Sequence, residues 1–427
     1  MARALGGSGR GAARQAAFWD GQILLPVMLL VVAGALAVYS ATVHGPGGGA
    51  ALFWRHLAAL LVGALAAATL AYVPLRGLED LSPLFYGAAM LLLLTVLFAG
   101  EAASGARRWL AIGPLRLQPS EPAKVATILL LAHYLARKRC DLRRIGSLAG
   151  ALALIALPAL LVMQQPDLGT ALAFSAVGLV MLIWAGLPGW ILILLASPLV
   201  TAGLASLKFL IPGPPSVRVI AWVPYVLCAA FLLRRARRSW YLILLFVLLQ
   251  TAIAIEAPRI WEGLEPYQQA RVSAFLYPER DPAGSGYQVI QSQIAIGSGG
   301  WLGAGFRKGS QKALAFLPRQ HTDFIYSVVG EEFGFVGAAT ILLLYAVLIF
   351  RGAVLARESR GRFGSLVAIG VTTLIFYHTA VNIAMTLGLA PVTGLPLPFL
   401  SFGGSFLVTS LGAVGLLIGV GARRREQ

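Results

Sequence analysis

Apolar residues run in long stretches from one end of the chain to the other, and polar residues gather in the gaps between them. Twelve stretches qualify as candidate membrane spans: roughly 22–42, 53–73, 82–99, 121–137, 145–163, 169–186, 189–210, 218–233, 239–256, 323–350, 363–387 and 400–422. A span needs about 20 residues, because the hydrocarbon core is about 30 Å thick and a helix rises about 1.5 Å per residue. Inside lipid the backbone must satisfy its own hydrogen bonds, which a helix does. The pattern predicts an all-α polytopic integral membrane protein, a single 1–427 transmembrane domain of ten to twelve membrane-spanning helices with a long extracytoplasmic loop at 257–322. Gly186-Leu187-Pro188-Gly189 alone separates the sixth and seventh stretches, and the short eighth contains Pro224. Residues 189–233 therefore form either two spans or a re-entrant hairpin.

Composition supports the membrane reading. Of 427 residues, 58% are hydrophobic and 12% charged, against about 25% charged in a soluble domain. A net charge of +17 in a soluble protein would suggest nucleic acid. In a membrane protein, basic residues collect in cytoplasmic loops, so no nucleic-acid partner is implied. Cys140 and Cys228 have neither disulfide-framework nor metal-motif spacing. The first stretch, behind Arg3, Arg10 and Arg14, is too long for a signal-peptide core and is expected to be an uncleaved anchor.

The basic residues also set orientation. With the N-terminus in the cytoplasm, 20 of the 34 Lys and Arg fall inside, in dense clusters such as Arg137-Lys138-Arg139 and Arg234 to Arg238. Both termini are then cytoplasmic. The two long outside segments are 100–120 and 257–322, and long connectors are more often functional than accidental. Outside cations such as Arg107, Arg108, Lys124 and Lys308 have no topological reason to be there and suggest an anionic ligand, a phosphate-bearing membrane lipid among them.

Five segments carry candidate chemistry. In Gln118-Pro119-Ser120-Glu121-Pro122-Ala123-Lys124, Ser120 is expected to cap a helix and Glu121 to share a face with Lys124. The pair either closes a helix start or lines a polar cavity. Asp167 in Gln164-Gln165-Pro166-Asp167-Leu168-Gly169-Thr170 is expected to form a tight turn and to cap the next helix. Between 275 and 288, Gly and Pro breakers surround Asp281, which is a turn former or a general base able to take a proton from a sugar hydroxyl. Glu279 is its neighbour and competitor. His321, Asp323, Glu331 and Glu332 precede or enter a long apolar helix, where buried charges need partners. Asp323 could cap that helix, and His321 with Asp323 is too sparse for a metal site. The run Pro391 to Ser405, with Ser401 in it, breaks helix geometry and must be buried or line a cavity. No Walker loop and no strand-linked dinucleotide fingerprint occurs.

Together these motifs resemble the SEDS family of bacterial cell-wall polymerases. The matching segments are Gly105 to Trp109, Gln118 to Lys124, Pro166 to Thr170, Asp281 to Gln288, His321 to Phe324, Glu331 to Gly334, and Asn382 through Ser405, in family order. Ile290 to Gly300 and Gln320 to Gly334 resemble the elongation branch of the family more than the division branch. The resemblance implies a peptidoglycan glycosyltransferase that polymerises lipid II at the outer face of the cytoplasmic membrane, with Asp281 as its catalytic carboxylate. It also implies a divalent cation (Mg²⁺ or Mn²⁺) of unassigned ligands and a class B penicillin-binding protein as transpeptidase partner. Three features depart from the family. The spans are too many, so part of 187–256 is expected to be an added hairpin. Arg319 stands where Glu is usual, and His378 stands where Gln is common, four residues before Asn382.

On that resemblance the donor is a glycan on undecaprenyl pyrophosphate and the acceptor is a lipid II hydroxyl. Asp281 takes the proton, and Arg107, Arg108, Lys124 and Lys308, with Glu121 beside them, stabilise the leaving diphosphate. The remaining candidates, Asp167, Thr170, His321, Asp323, Glu331, Glu332, Asn382 and Ser401, build the cavity. The rival reading is a flippase for lipid-linked precursor, which broken helices and intramembrane charges also suit.

Overall fold

The computed structural model describes residues 20–42, 49–103, 106–113, 115–138, 140–205, 216–263, 266–280, 286–309 and 320–423. Among them are fourteen α-helices and one small sheet. The helices are α1 (Gly21–Thr42), α2 (Gly49–Tyr72), α3 (Leu75–Ala99), α4 (Ser120–Ala136), α5 (Ile145–Met163), α6 (Leu168–Trp184), α7 (Gly189–Ala205), α8 (Ser216–Arg235), α9 (Trp240–Glu262), α10 (Pro266–Leu276), α11 (Tyr287–Ser298), α12 (Ile325–Glu358), α13 (Arg362–Thr386) and α14 (Gly404–Ala422). Each of the twelve predicted stretches coincides with one helix. Eight are long and apolar enough to cross a membrane; α6 and α7 are apolar but shorter. The chain is a multi-pass membrane protein.

It forms two compact units, Met1–Ala185 with Gln288–Gln427, and Gly186–Tyr287. In the first unit, α13 and α14 are each 78% buried over their most apolar window, whereas α2 is 11% buried. Two helices thus form the centre while α2 turns most of its surface to lipid, where apolar side chains cost nothing to expose. With no hydrophobic force between helices in lipid, close backbone approach takes over. At Gly415 of α14 an added Cβ would lie 2.2 Å from the Ala67 carbonyl oxygen of α2, so only glycine permits that crossing. Helices α1 and α12 run antiparallel. At one end Arg351 donates to Asp20 at 2.8 and 2.5 Å; at the other, Ser40 Oγ donates to Glu332 Oε1 at 2.5 Å and Gln320 Nε2 to the Ala41 carbonyl.

The second unit holds α7 to α10 and contains the region 187–256 singled out as an added hairpin. Its helices pack through Val226, Ala229, Leu233 and Phe246. A buried clamp joins α7 to α9: Gln250 accepts from Thr201 Oγ1 at 2.6 Å and donates to Ser197 Oγ at 2.9 Å. Such interhelical bonds are worth about 0.6 kcal/mol each in lipid, up to about 1.7.

Four local expectations change. Segment 100–120 is an antiparallel meander, not an irregular loop: β1 (Glu101–Ala103), β2 (Ala106–Ile112) and β3 (Leu115–Leu117) pair in sequence order, with Leu110 opposite Leu117. Segment 257–322 contains helices among its described residues, because α9 runs on to Glu262 and α10 and α11 follow. Ser120 does not cap α4. Pro119 already has helical angles, φ −62° and ψ −24°, so the helix begins one residue earlier without a side-chain cap. Asp323 does not cap α12 either; Phe324 holds that position.

Candidate functional site

Within the first unit, the starts of α4, α6, α12 and α14 meet the end of α13, and most of the candidate polar residues lie there. At the start of α6, Asp167 caps the helix as expected, its Oδ1 accepting from the Thr170 amide at 3.2 Å. Strand β2 lays Arg108 across this turn. Its Nε donates to the Gln165 carbonyl at 2.9 Å, its Nη2 to the Pro166 carbonyl, and its Nη1 lies 3.9 Å from Asp167. One planar guanidinium thus holds three acceptors of one turn, which a lysine ammonium cannot match. Gln165 in turn donates to the Leu93 carbonyl of α3.

One turn into α4, Glu121 and Lys124 are both 3% exposed. Lys124 Nζ reaches Glu121 Oε1 and Oε2 at 3.0 and 2.9 Å, and His378 Nε2 of α13 at 2.9 Å. The ammonium lies 5.6 Å from the centroid of the Phe406 ring at the start of α14. These four residues line a small cavity with Leu374, Ile375 and Ser410. Asp167 lies close enough to act on Glu121 electrostatically. The cluster Arg108, Asp167, Glu121 and Lys124 is therefore charge-balanced. Breaking one member of a buried ion pair typically costs about 3–5 kcal/mol, because the other is left uncompensated.

The broken segment between α13 and α14 is held from below and beside. Asn382 Nδ2 donates to the carbonyls of Asp323 at 2.8 Å and Leu395 at 2.7 Å. Ser401 Oγ donates to the Thr322 carbonyl at 2.6 Å and accepts from the Leu397 amide at 2.8 Å. The Phe402 amide donates to the His321 carbonyl, and the His321 ring meets the Phe402 ring edge-on. At the α14 start, Ser405 Oγ donates to the Arg116 carbonyl and accepts from the Gln118 amide, which locks the meander to α14. Tyr377 OH donates to the Gly169 carbonyl.

Glu331 and Glu332 lie beside a break in α12. At Gly334 the backbone turns to φ 64°, ψ −162°, and residues 299–305 fit into the gap. The amides of Ala304 and Gly305 donate to the carbonyls of Glu331 and Glu332, and the carbonyls of Gly300 and Trp301 accept from Phe335 and Val336. The loop thus supplies the bonds that the broken helix lacks, which is how non-helical backbone survives at this depth. Lys308 follows on the same loop, exposed. Among the described residues no group of three or more His, Cys, Asp or Glu side chains could hold a metal ion.

The structure thus brings Arg108, Asp167, Thr170, Glu121 and Lys124 together, and Asn382, Ser401, His321 and Asp323 around the broken segment. It sets Glu331 and Glu332 apart at the α12 break. Asp281 and Arg319 lie outside the described residues, and so does the Arg107 side chain. Sequence reading did not assign His378, Ser40, Gln165 or Ser405 to this framework. His378 had a signal, its departure from the family residue, but its partner lies 254 positions away.

The chain matches the cell cycle protein family of FtsW, RodA and SpoVE over residues 21–224 and 221–426. It is 36% identical over 412 residues to the peptidoglycan glycosyltransferase MrdB of Escherichia coli (strain K12), covering 96% of each chain. It is 33% identical to the peptidoglycan glycosyltransferase RodA of Treponema pallidum, over 95% of this chain and 98% of that one. A chain from a peptidoglycan synthase complex, described for its coordination of polymerization and crosslinking, superposes with a TM-score of 0.70 at 31% identity, covering 96% of this chain and 99% of that one. Full-length similarity, the ordered motifs and the helical architecture agree, and the chain belongs to the FtsW, RodA and SpoVE family, the SEDS proteins, on its RodA-like side.

Proposed function

We propose that this chain is a peptidoglycan glycosyltransferase of the elongation type, polymerising lipid II at the outer face of a bacterial cytoplasmic membrane. The observation that carries this reading is the 36% identity to a peptidoglycan glycosyltransferase over 96% of both chains. The residues add chemical support. General-base catalysis asks for a carboxylate on an accessible turn, and Asp281 stands among Gly and Pro breakers. It takes the proton of the acceptor hydroxyl as that oxygen attacks the donor sugar carbon, and the undecaprenyl pyrophosphate leaves. Attack from the side opposite the leaving group inverts that carbon. General-base catalysis supplies about 10²–10⁴ in rate, so stabilisation of the departing diphosphate by cations must supply much of the remainder.

The cations divide by environment. Lys308 is exposed, so a diphosphate can reach it without breaking a buried pair. Arg108 and Lys124 already have partners, and they shape the site through the turns they hold. Arg108→Ala is expected to release the meander from the α5–α6 turn and to lower both polymerisation and lipid pyrophosphate binding. Native values for both would remove Arg108 from the site. A Mg²⁺ or Mn²⁺ ion would draw on the diphosphate oxygens and one or two carboxylates, as Mg²⁺ sites of phosphate enzymes do.

Sidedness follows from the charges. Asp20, Arg351 and Glu358 meet at one end of the α1–α12 pair, the end of the basic loop clusters. Ser40 and Glu332 meet at the other, the end of the long connectors. Both termini are then cytoplasmic and Asp281 extracytoplasmic. A class B penicillin-binding protein is the partner that would crosslink the product. The test is polymerisation of lipid II by the purified chain, alone and with that partner.

A further inference from the structure

A buried polar group that the mechanism does not use is His378, on α13. We propose that His378 is a positioning residue for the polymerase reaction: as a neutral imidazole it accepts the third hydrogen of the Lys124 ammonium and so fixes the Glu121–Lys124 pair at the start of α4. This rests on the glycosyltransferase reading above and adds a residue to it.

The argument begins with donors and acceptors. An ammonium has three hydrogens to give and accepts none. Lys124 finds the two oxygens of Glu121 at 3.0 and 2.9 Å and His378 Nε2 at 2.9 Å. Facing an ammonium, Nε2 must be the acceptor, so the ring is neutral and carries its proton on Nδ1. Nδ1 is buried and makes no hydrogen bond of good geometry; the Pro396 backbone, in the broken segment before α14, lies close enough to act on the ring. The ring packs 5.0 Å from the Phe406 ring, centroid to centroid.

Around the imidazole, Leu374, Ile375, Pro398 and Ala413 present apolar side chains, and the hydroxyls of Thr409 and Ser410 are the other polar groups of the lining, on α14 and not on α13. Lys124 has a long flexible stem and about 2 kcal/mol of rotamer entropy to lose. Without an acceptor on α13, one ammonium hydrogen is buried unpaired, and the side chain swings toward Glu121 or the Ser410 hydroxyl. Either motion shifts the ion pair that starts α4, next to the turn where Arg108 and Asp167 meet. Small displacements of this kind at a reacting centre lower the rate more than the affinity.

Two substitutions separate the hydrogen bond from mere filling of space. His378→Leu keeps bulk and removes the acceptor. His378→Gln restores an acceptor at a similar reach. The full-length chain is purified with each change and assayed with lipid II, rates being expressed per folded protein. His378→Leu is expected to lose roughly tenfold or more in rate at saturating lipid II, with the half-saturating concentration within about twofold of native, and His378→Gln to stay within about threefold of native in rate. A His378→Leu protein that polymerises like native, or a His378→Gln protein as slow as His378→Leu, overturns the proposal. A native chain that makes no polymer overturns the functional reading instead. The contact is then decided by thermal unfolding of Lys124→Met, His378→Leu and the double variant. Shifts smaller together than their sum support the contact, and additive shifts overturn it.

Discussion

Asp281→Asn is expected to leave the protein folded in membrane and to abolish glycan polymerisation from purified lipid II. The amide is nearly the same size as the carboxylate but cannot take a proton at neutral pH, so the change removes the chemistry and little else. The loss expected for a missing general base is about 10²–10⁴ in rate, which in a polymerisation assay reads as no product. Glu279, two residues earlier and exposed, is the competing carboxylate, and Glu279→Gln separates the two: it is expected to retain polymerisation. An active Asp281→Asn protein would reject the assignment, and an inactive Glu279→Gln beside it would transfer the role.

The largest structural effect is expected at the break in α12. Gly334 has φ 64° and ψ −162°, a region almost confined to glycine. A Cβ there would lie 2.4 Å from the Gly303 amide nitrogen and 2.7 Å from the Leu302 amide nitrogen and the Trp301 carbonyl carbon. All three are backbone atoms of the inserted loop, so no side-chain rotation relieves the clash. Gly334→Ala therefore has to expel the loop or reform the helix. Either outcome breaks the bonds from Ala304, Gly305, Phe335 and Val336 and moves Glu331, Glu332 and Lys308. The expected cost is about 3 kcal/mol or more, measured as a lowered unfolding temperature in detergent. Gly300 in the same loop is the control. Its φ is 55° and nothing lies within 4 Å of its added Cβ, so Gly300→Ala is expected to cost only about 1 kcal/mol. Equal, small effects at both positions would contradict the inserted-loop geometry.

The contrast between these two glycines shows what sequence reading reaches. Span positions are set by one solvent property, the need to pair backbone groups within lipid, and that property acts locally. Each of the twelve apolar stretches therefore overlaps a helix, although some ends move by up to about eight residues and eight of the helices are long and apolar enough to cross a membrane. The Asp167 cap and the Glu121–Lys124 pair are local too, three residues apart in each case. What failed was either non-periodic or distant. Residues 106–112 lack the apolar–polar alternation that signals a strand, two arginines being followed by four apolar residues, and the turn after them is taken by Gly113, at φ 63°. The helices α10 and α11 are polar enough that a span search passes over them. The Ser120 cap failed because Pro119 entered helical geometry first. The Lys124–His378 and Ser40–Glu332 contacts join residues 254 and 292 positions apart, and no local pattern signals such pairs.

The measurement that meets the central claim most directly places labelled lipid II in the outer leaflet of vesicles holding the purified chain with the proposed transpeptidase partner, and follows both strand growth and the sidedness of the label. A polymerase lengthens glycan from that leaflet without moving the monomer across the bilayer, and the Asp281→Asn protein loses this activity. Label that crosses to the inner leaflet while every sugar stays monomeric would instead describe a flippase.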